Sequence, residues 1–182
     1  RDVVDVGDHG GAGCRAVAVD LSSEVVGHAE RAFPIIERQS DLSEQDPRLW
    51  RESTFAVVAE LTARLPKHAC RALCIAGTSG TALICDAAGV PLAPALLYND
   101  GRARTEADDI DRVAPTATAA HGVGSSLAKA LWLVRHYPGH ITWVLHQADW
   151  VAGYFAGYYG FSDSNSALKS GFDPLTGSWP AW

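Results

Sequence analysis

Apolar residues alternate in a strand-like way over residues 15–20, and residues 3–6 and 25–33 on either side also read as β-strands. The intervening turns are short enough for an antiparallel meander. Residues 34–44 are polar and read as a loop. Asp46-Pro47 then starts a helix, Asp as N-cap and Pro at the first helical position. Trp50, Val57, Val58, Leu61 and Leu65 recur at helical spacing until Pro66 stops them, so this helix should pack one face on the sheet.

Residues 72–76 form a short apolar run that reads as a buried strand, followed by the small polar turn Gly77-Thr78-Ser79-Gly80-Thr81. Strands are expected over 83–85 and 93–97 around a turn at 86–90, the second ending in Tyr98-Asn99-Asp100-Gly101-Arg102. A helix is expected over 105–113. Another should run to about residue 135, capped by Ser125 or Ser126. A strand over 141–145 leads into a helix over 148–154, with Asp149 in its first turn, where negative charge is favourable. Residues 162–165 read as a polar turn, and 171–182, rich in Gly, Pro and Trp, as a linker or docking segment. The whole pattern is α/β: a mixed β-sheet flanked by helices, of the ribonuclease-H-like (actin-like ATPase) kind.

Composition narrows the function classes. The 182 residues carry a formal charge of −6, which argues against non-specific nucleic-acid binding. No apolar run approaches the ~20 residues of a membrane span. No secretory leader is evident, and Cys14, Cys70, Cys74 and Cys85 lack the spacing of a zinc site; reduced thiols and a cytoplasmic setting are expected. Methionine is absent, which points to a fragment of a longer protein or to an incompletely recorded sequence.

The candidate chemistry starts at Asp8-His9-Gly10-Gly11-Ala12-Gly13-Cys14-Arg15, a glycine-rich turn between the first two strands. Backbone N–H groups in such a turn can form an anion site, Asp8 could hold a metal ion, and Arg15 could reach a phosphate. An ordinary hairpin turn with a surface Asp and Arg is the alternative. A dinucleotide fingerprint would need a helix after the last glycine, and a strand is expected there instead. Further along, Thr78 and Ser79 in one tight turn and Asn99, Asp100 and Arg102 in another stand at strand ends, where α/β proteins place ligand contacts. Ser79 as a turn-stabilising residue and Asp100 as a helix cap are the alternatives. Asp149 is a cap or a ligand. His121, His146, Lys129, Asn165 and Lys169 read as structural.

Taken in order, these segments resemble the N-terminal domain of the FGGY family of carbohydrate kinases over nearly the whole chain, most closely its ribulokinase and xylulokinase-like members. Residues 8–15 resemble the family's Asp-x-Gly-Thr-Ser-Gly-x-Arg phosphate loop. Gln45-Asp46-Pro47 with Trp50, Ala76 to Thr81, and Leu97 to Arg102 look like its first helix start and its sugar-site segments. Ser126 to Lys129, His146 to Trp150 and Ser162 to Lys169 complete the series.

The resemblance implies ATP-dependent phosphorylation of a ketopentose such as ribulose or xylulose. Asp8 is then the catalytic residue that organises Mg²⁺, directly or through water. Gly10, Gly11, Gly13 and Arg15 line the phosphates, and Thr78, Ser79, Asn99, Asp100 and Arg102 line the sugar. A C-terminal domain supplying the adenine site and the general base lies outside this chain, so the chain by itself should be inactive; a homodimer is compatible. Neither nucleic acid nor membrane is an expected partner. Gly11 and Ala12 replace the loop hydroxyls of the family pattern, a loss worth ~10²-fold in rate by analogy with a removed transition-state donor. That departure keeps a non-catalytic sugar-binding or regulatory module in play, and another actin-like ATPase is the remaining alternative.

Overall fold

The computed structural model describes the backbone of residues 2–8 and the whole of residues 12–34 and 41–182. In chain order the elements are β1 (Asp2–Asp8), β2 (Gly13–Val19), β3 (Val25–Ala32), β4 (Glu44–Gln45), α1 (Pro47–Arg64), β5 (Cys70–Ile75), β6 (Ala82–Cys85), β7 (Ala95–Leu96), α2 (Arg104–Asp111), α3 (Ser126–His136), β8 (Trp143–His146), α4 (Gln147–Ala156) and α5 (Ser164–Leu168). They fall into two compact units, residues 1–35 with 47–78, and residues 36–46 with 79–182.

The first unit is a four-stranded sheet in the order β3-β2-β1-β5. Its first three strands are the expected antiparallel meander, and β5 returns parallel to β1. Small residues on one face of β2 and β3 (Ala16, Ala18 and Ala29, all buried) let α1 lie close, with Trp50, Val57 and Leu61 filling the space between. Cys14 Sγ meets Thr54 Oγ1 at 3.6 Å in this layer. The sheet's other outer strand, β5, differs from expectation. It is an edge strand, and four of its six residues are exposed, Cys70 and Cys74 among them. An apolar run of this length cannot by itself distinguish an edge from a centre.

The second unit has its own antiparallel sheet, ordered β4-β7-β6-β8. The strand pattern alone suggested one mixed sheet; instead β6 to β8 close a second. β6 is buried at every position, as its unbroken Ala-Leu-Ile-Cys run requires. Ala82, Ile84 and Leu96 pack against Leu133 of α3. A neighbouring cluster, Ala103, Ala107 and Ile110 with Ala120 and Ala128, joins α2 to α3. Ser125 is the cap of α3, its Oγ accepting from Ala128 N at 3.1 Å.

Two details depart from the pattern reading. Glu44, the last residue of the expected loop, pairs with β7 together with Gln45. The polar turn at 162–165 is the start of α5, with Asp163 accepting from Asn165 N and Ser166 N. The C-terminal stretch folds back, so that Trp179, Pro180 and Trp182 line a hollow with Ile110 and Leu131.

Candidate functional site

In the first unit, Asp8 is the last residue of β1 and pairs with Cys14 across the turn. Gly10 and Gly11 lie outside the described residues. Gly13 opens β2, and a Cβ there would stand 2.8 Å from the Arg31 carbonyl oxygen of β3, so β2 and β3 approach closely at this end. Arg15 is exposed on β2 opposite Glu30. Thr78 ends this unit. The Asp8 carboxylate is a hard oxygen donor of the type Mg²⁺ accepts. Among the described residues no group of three or more His, Cys, Asp or Glu side chains that could hold a metal ion exists.

The second unit gathers the other candidates around a residue that sequence reasoning treated as structural. Lys129, on α3, is fully buried. Its Nζ donates to three backbone carbonyls: Gly80 at 2.9 Å, Tyr98 at 3.2 Å and Gly124 at 2.9 Å. An ammonium has three donors, so its capacity is used in full. Those carbonyls sit on three separate loops, before β6, after β7 and before α3. Burial pushes the Lys129 pKa down to about 8, Asp100 pulling it up and Lys169 reinforcing the fall. Gly80 has φ +89°, and a Cβ would lie 2.8 Å from the Gly124 oxygen, which explains glycine at this convergence.

Asp100 belongs to a clasp. Its buried carboxylate takes Ser43 N at 2.7 Å and Arg102 Nη2 at 2.8 Å on one oxygen, and Arg102 Nε at 2.8 Å and Arg102 N at 3.2 Å on the other. Arg102 Nη1 reaches Glu44 Oε1 at 2.6 Å, and its guanidinium lies 4.8 Å over the Trp132 ring. Burial disfavours this charge, but the two carboxylates outweigh it and hold the Arg102 pKa above its ordinary value. Asp100 caps no helix: the N-cap of α2 is Ala103, without a side-chain bond. The clasp ties residues 41–45 to the loop after β7, with Leu97 N donating to Ser43 O and Gly101 N to Asp41 O.

Among the described residues, buried polar atoms without a partner flank all three carbonyls. Thr81 Oγ1 follows Gly80, Asn99 Oδ1 follows Tyr98, and Ser126 Oγ stands two residues past Gly124. Orphaned buried groups call for an explanation, and a site that handles a polar ligand is one. The nearness of Ser79, Asn99, Asp100 and Arg102 could be guessed from their turns; the hub at Lys129 could not. Its signal in the sequence is one lysine inside an apolar helical pattern.

A second feature of this unit is a cleft of about 640 Å³ lined by Trp143, His146, Asp149, Phe161, Asp163 and Trp179, among others. His146 Nδ1 is buried without a partner, and Nε2 lies 3.4 Å from Ser170 Oγ; burial lowers the His146 pKa, Asp163 opposing. Burial raises Asp149 to about 6, aided by Asp163 and opposed by bonds from Ser162 and the His146 backbone. The folded chain thus keeps a proton on Asp149 that the unfolded chain loses near 3.8. Native-state proton excess stabilises at low pH, so this contribution is full below about pH 3.8 and is lost as pH rises through about 6. Asp149→Asn is expected to flatten that part of the stability profile, measured by urea unfolding from pH 4 to 7. An unchanged slope would contradict the assignment.

An antiparallel meander followed by a helix and a strand parallel to β1, with polar loops gathered at strand ends, places the chain in the ribonuclease-H-like, actin-like ATPase class. The chain belongs to the FGGY family of carbohydrate kinases, whose N-terminal-domain model matches residues 4–179. Xylulose kinase of Escherichia coli strain K12 is 27% identical over 179 residues, which are 94% of this chain and 37% of that protein. Glycerol kinase of Alkalilimnicola ehrlichii is 30% identical over 142 residues, 72% of this chain and 28% of that protein. The crystal structure of xylulose kinase from Rhodospirillum rubrum matches with a TM-score of 0.84 at 27% identity, covering 100% of this chain and 39% of the other. The chain therefore spans well under half the length of these relatives. Among the described residues no helix is long and apolar enough to cross a membrane.

Proposed function

We propose that this chain is the sugar-binding half of a cytoplasmic ATP-dependent kinase whose substrate is a ketopentose of the ribulose or xylulose type. The supporting observation is the convergence of the Gly80, Tyr98 and Gly124 carbonyls on Lys129, with an orphaned polar side chain beside each. It ties three loops to one buried ammonium, a rigid base of the kind a site for a small polyol needs. Ser79, Asn99 and Thr78 supply hydroxyl and amide contacts. Asp100 and Arg102 shape the site through the clasp, since each Asp100 oxygen already accepts two protein donors.

Phosphoryl transfer depends mainly on positioning and charge neutralisation. A sugar hydroxyl attacks the γ-phosphorus, the bond to the bridging oxygen breaks, and ADP leaves; the hydroxyl proton passes to a base on a C-terminal domain. Bound Mg²⁺ would neutralise phosphate charge. Asp8 would help hold it, and the backbone N–H groups of Gly10, Gly11 and Gly13 and the Arg15 guanidinium would bind the phosphates. Gly11 and Ala12 favour a second reading, a sugar-binding module that does not catalyse. The two separate when the full-length protein is given ATP, Mg²⁺ and either ribulose or xylulose. Sugar-dependent ADP release is expected. Sugar binding without ADP selects the module, and neither binding nor ADP overturns both.

A further inference from the structure

Lys169 follows α5 at its C-terminal end, and its backbone is pinned: Leu127 N donates to Lys169 O at 3.1 Å, joining the end of α5 to the start of α3. The side chain runs to the Ser79–Gly80 loop. Its Nζ stands 3.5 Å from the Ser79 oxygen, at the outer limit of a hydrogen bond, and a Cβ on Gly80 would lie 3.4 Å from it. Among the described residues this is the sole acceptor found for a half-buried ammonium, and no carboxylate lies within ion-pair distance. The neighbouring Lys129 already takes the three carbonyls in reach and repels it.

Holding a cation half out of water with one marginal acceptor costs stability. The same arrangement leaves two N–H donors ready for an oxygen-rich ligand. Lysine suits this task, being a compact charge on a flexible stem that can follow a hydroxyl or carbonyl oxygen.

We propose that Lys169 is a specificity-determining residue, donating from Nζ to a hydroxyl or carbonyl oxygen of the sugar held at the Ser79–Gly80 loop. This rests on the sugar-kinase reading above. Lys129 and Lys169 then divide the work on one loop: the first holds its backbone, and the second reads what binds beside it.

The test compares wild type with Lys169→Met and Lys169→Arg in the full-length protein. Ketopentose KM and kcat are followed by ADP release, and sugar binding by equilibrium dialysis with labelled ribulose and xylulose. Losing a charged hydrogen bond to the sugar predicts a rise of about tenfold or more in KM and Kd for Lys169→Met. The kcat should change little, the thermal midpoint should hold or rise as the strained cation is removed, and Lys169→Arg should recover part of the affinity. Unaltered KM and Kd in Lys169→Met overturn the proposal whatever happens to the midpoint. A wild type that binds sugar but releases no ADP removes the kinase reading, and the dialysis still decides Lys169. A wild type that does neither overturns both.

Discussion

Lys129→Met is expected to lower the urea midpoint of the second unit more than any other single change in α3, by roughly 3–5 kcal/mol when converted through the m-value. Two effects oppose each other. Methionine relieves the desolvation that pushes the lysine pKa down to about 8. It also strips the donor from three carbonyls, each worth about 1–3 kcal/mol if left unpaired in a buried setting. The three carbonyls lie on separate loops joined through this one ammonium, so their loss outweighs the relief. Total stabilities of about 5–15 kcal/mol leave little margin for such a change. Sugar affinity should fall with it, because the loops bearing Ser79, Asn99 and Ser126 lose their common anchor. A midpoint at or above that of the wild type would show that the ammonium is tolerated and not required.

Asp100→Ala should be comparably severe, about 3–5 kcal/mol, the usual consequence of removing one partner from a buried ion pair. Its carboxylate is fully buried and the Arg102 side chain is only 11% exposed, so truncation strands a guanidinium with Glu44 as its remaining carboxylate. The Ser43 N–H loses its acceptor as well. The double variant Asp100→Leu/Arg102→Met separates charge pairing from simple packing. It is expected to be more stable than Asp100→Ala, since no buried charge is left unpaired and Glu44, 38% exposed, can be hydrated. Chemical denaturation of wild type and the two variants checks this, and a double variant less stable than Asp100→Ala would refute the clasp. If Asp100 instead read the sugar directly, Asp100→Asn would abolish sugar binding while leaving stability nearly intact.

Much of the fold was legible because local rules and tertiary packing agree. The strand-like character of the first three segments, the Asp46-Pro47 helix start, Pro66 as a stop, and Ser125 as a cap all act over a few residues and need no partner to be recognised. The order of seven weak motifs then carried the family. The errors arose where the deciding partner is remote in sequence. Whether β5 lies at an edge depends on what pairs beyond it. Whether residues 44–45 form a strand depends on β7, some fifty residues away. Asp163 capping α5 was hidden because a polar cluster before a five-residue helix looks like any turn.

For the site, the chain alone determined which residue types stand at the strand ends: serine, threonine and asparagine in tight turns, an Asp-Gly-Arg corner, and a glycine-rich bend after an aspartate. Those choices are made by backbone geometry, which is written locally. What only the folded molecule decided is which of those groups are already spent on the protein itself. Asp100 looked like an open carboxylate and is saturated by Arg102 and Ser43, while Lys129 looked like an ordinary helix lysine and joins three loops. Hydrogen-bond capacity is consumed by neighbours in space, and those neighbours are brought together by packing that no short stretch of sequence encodes.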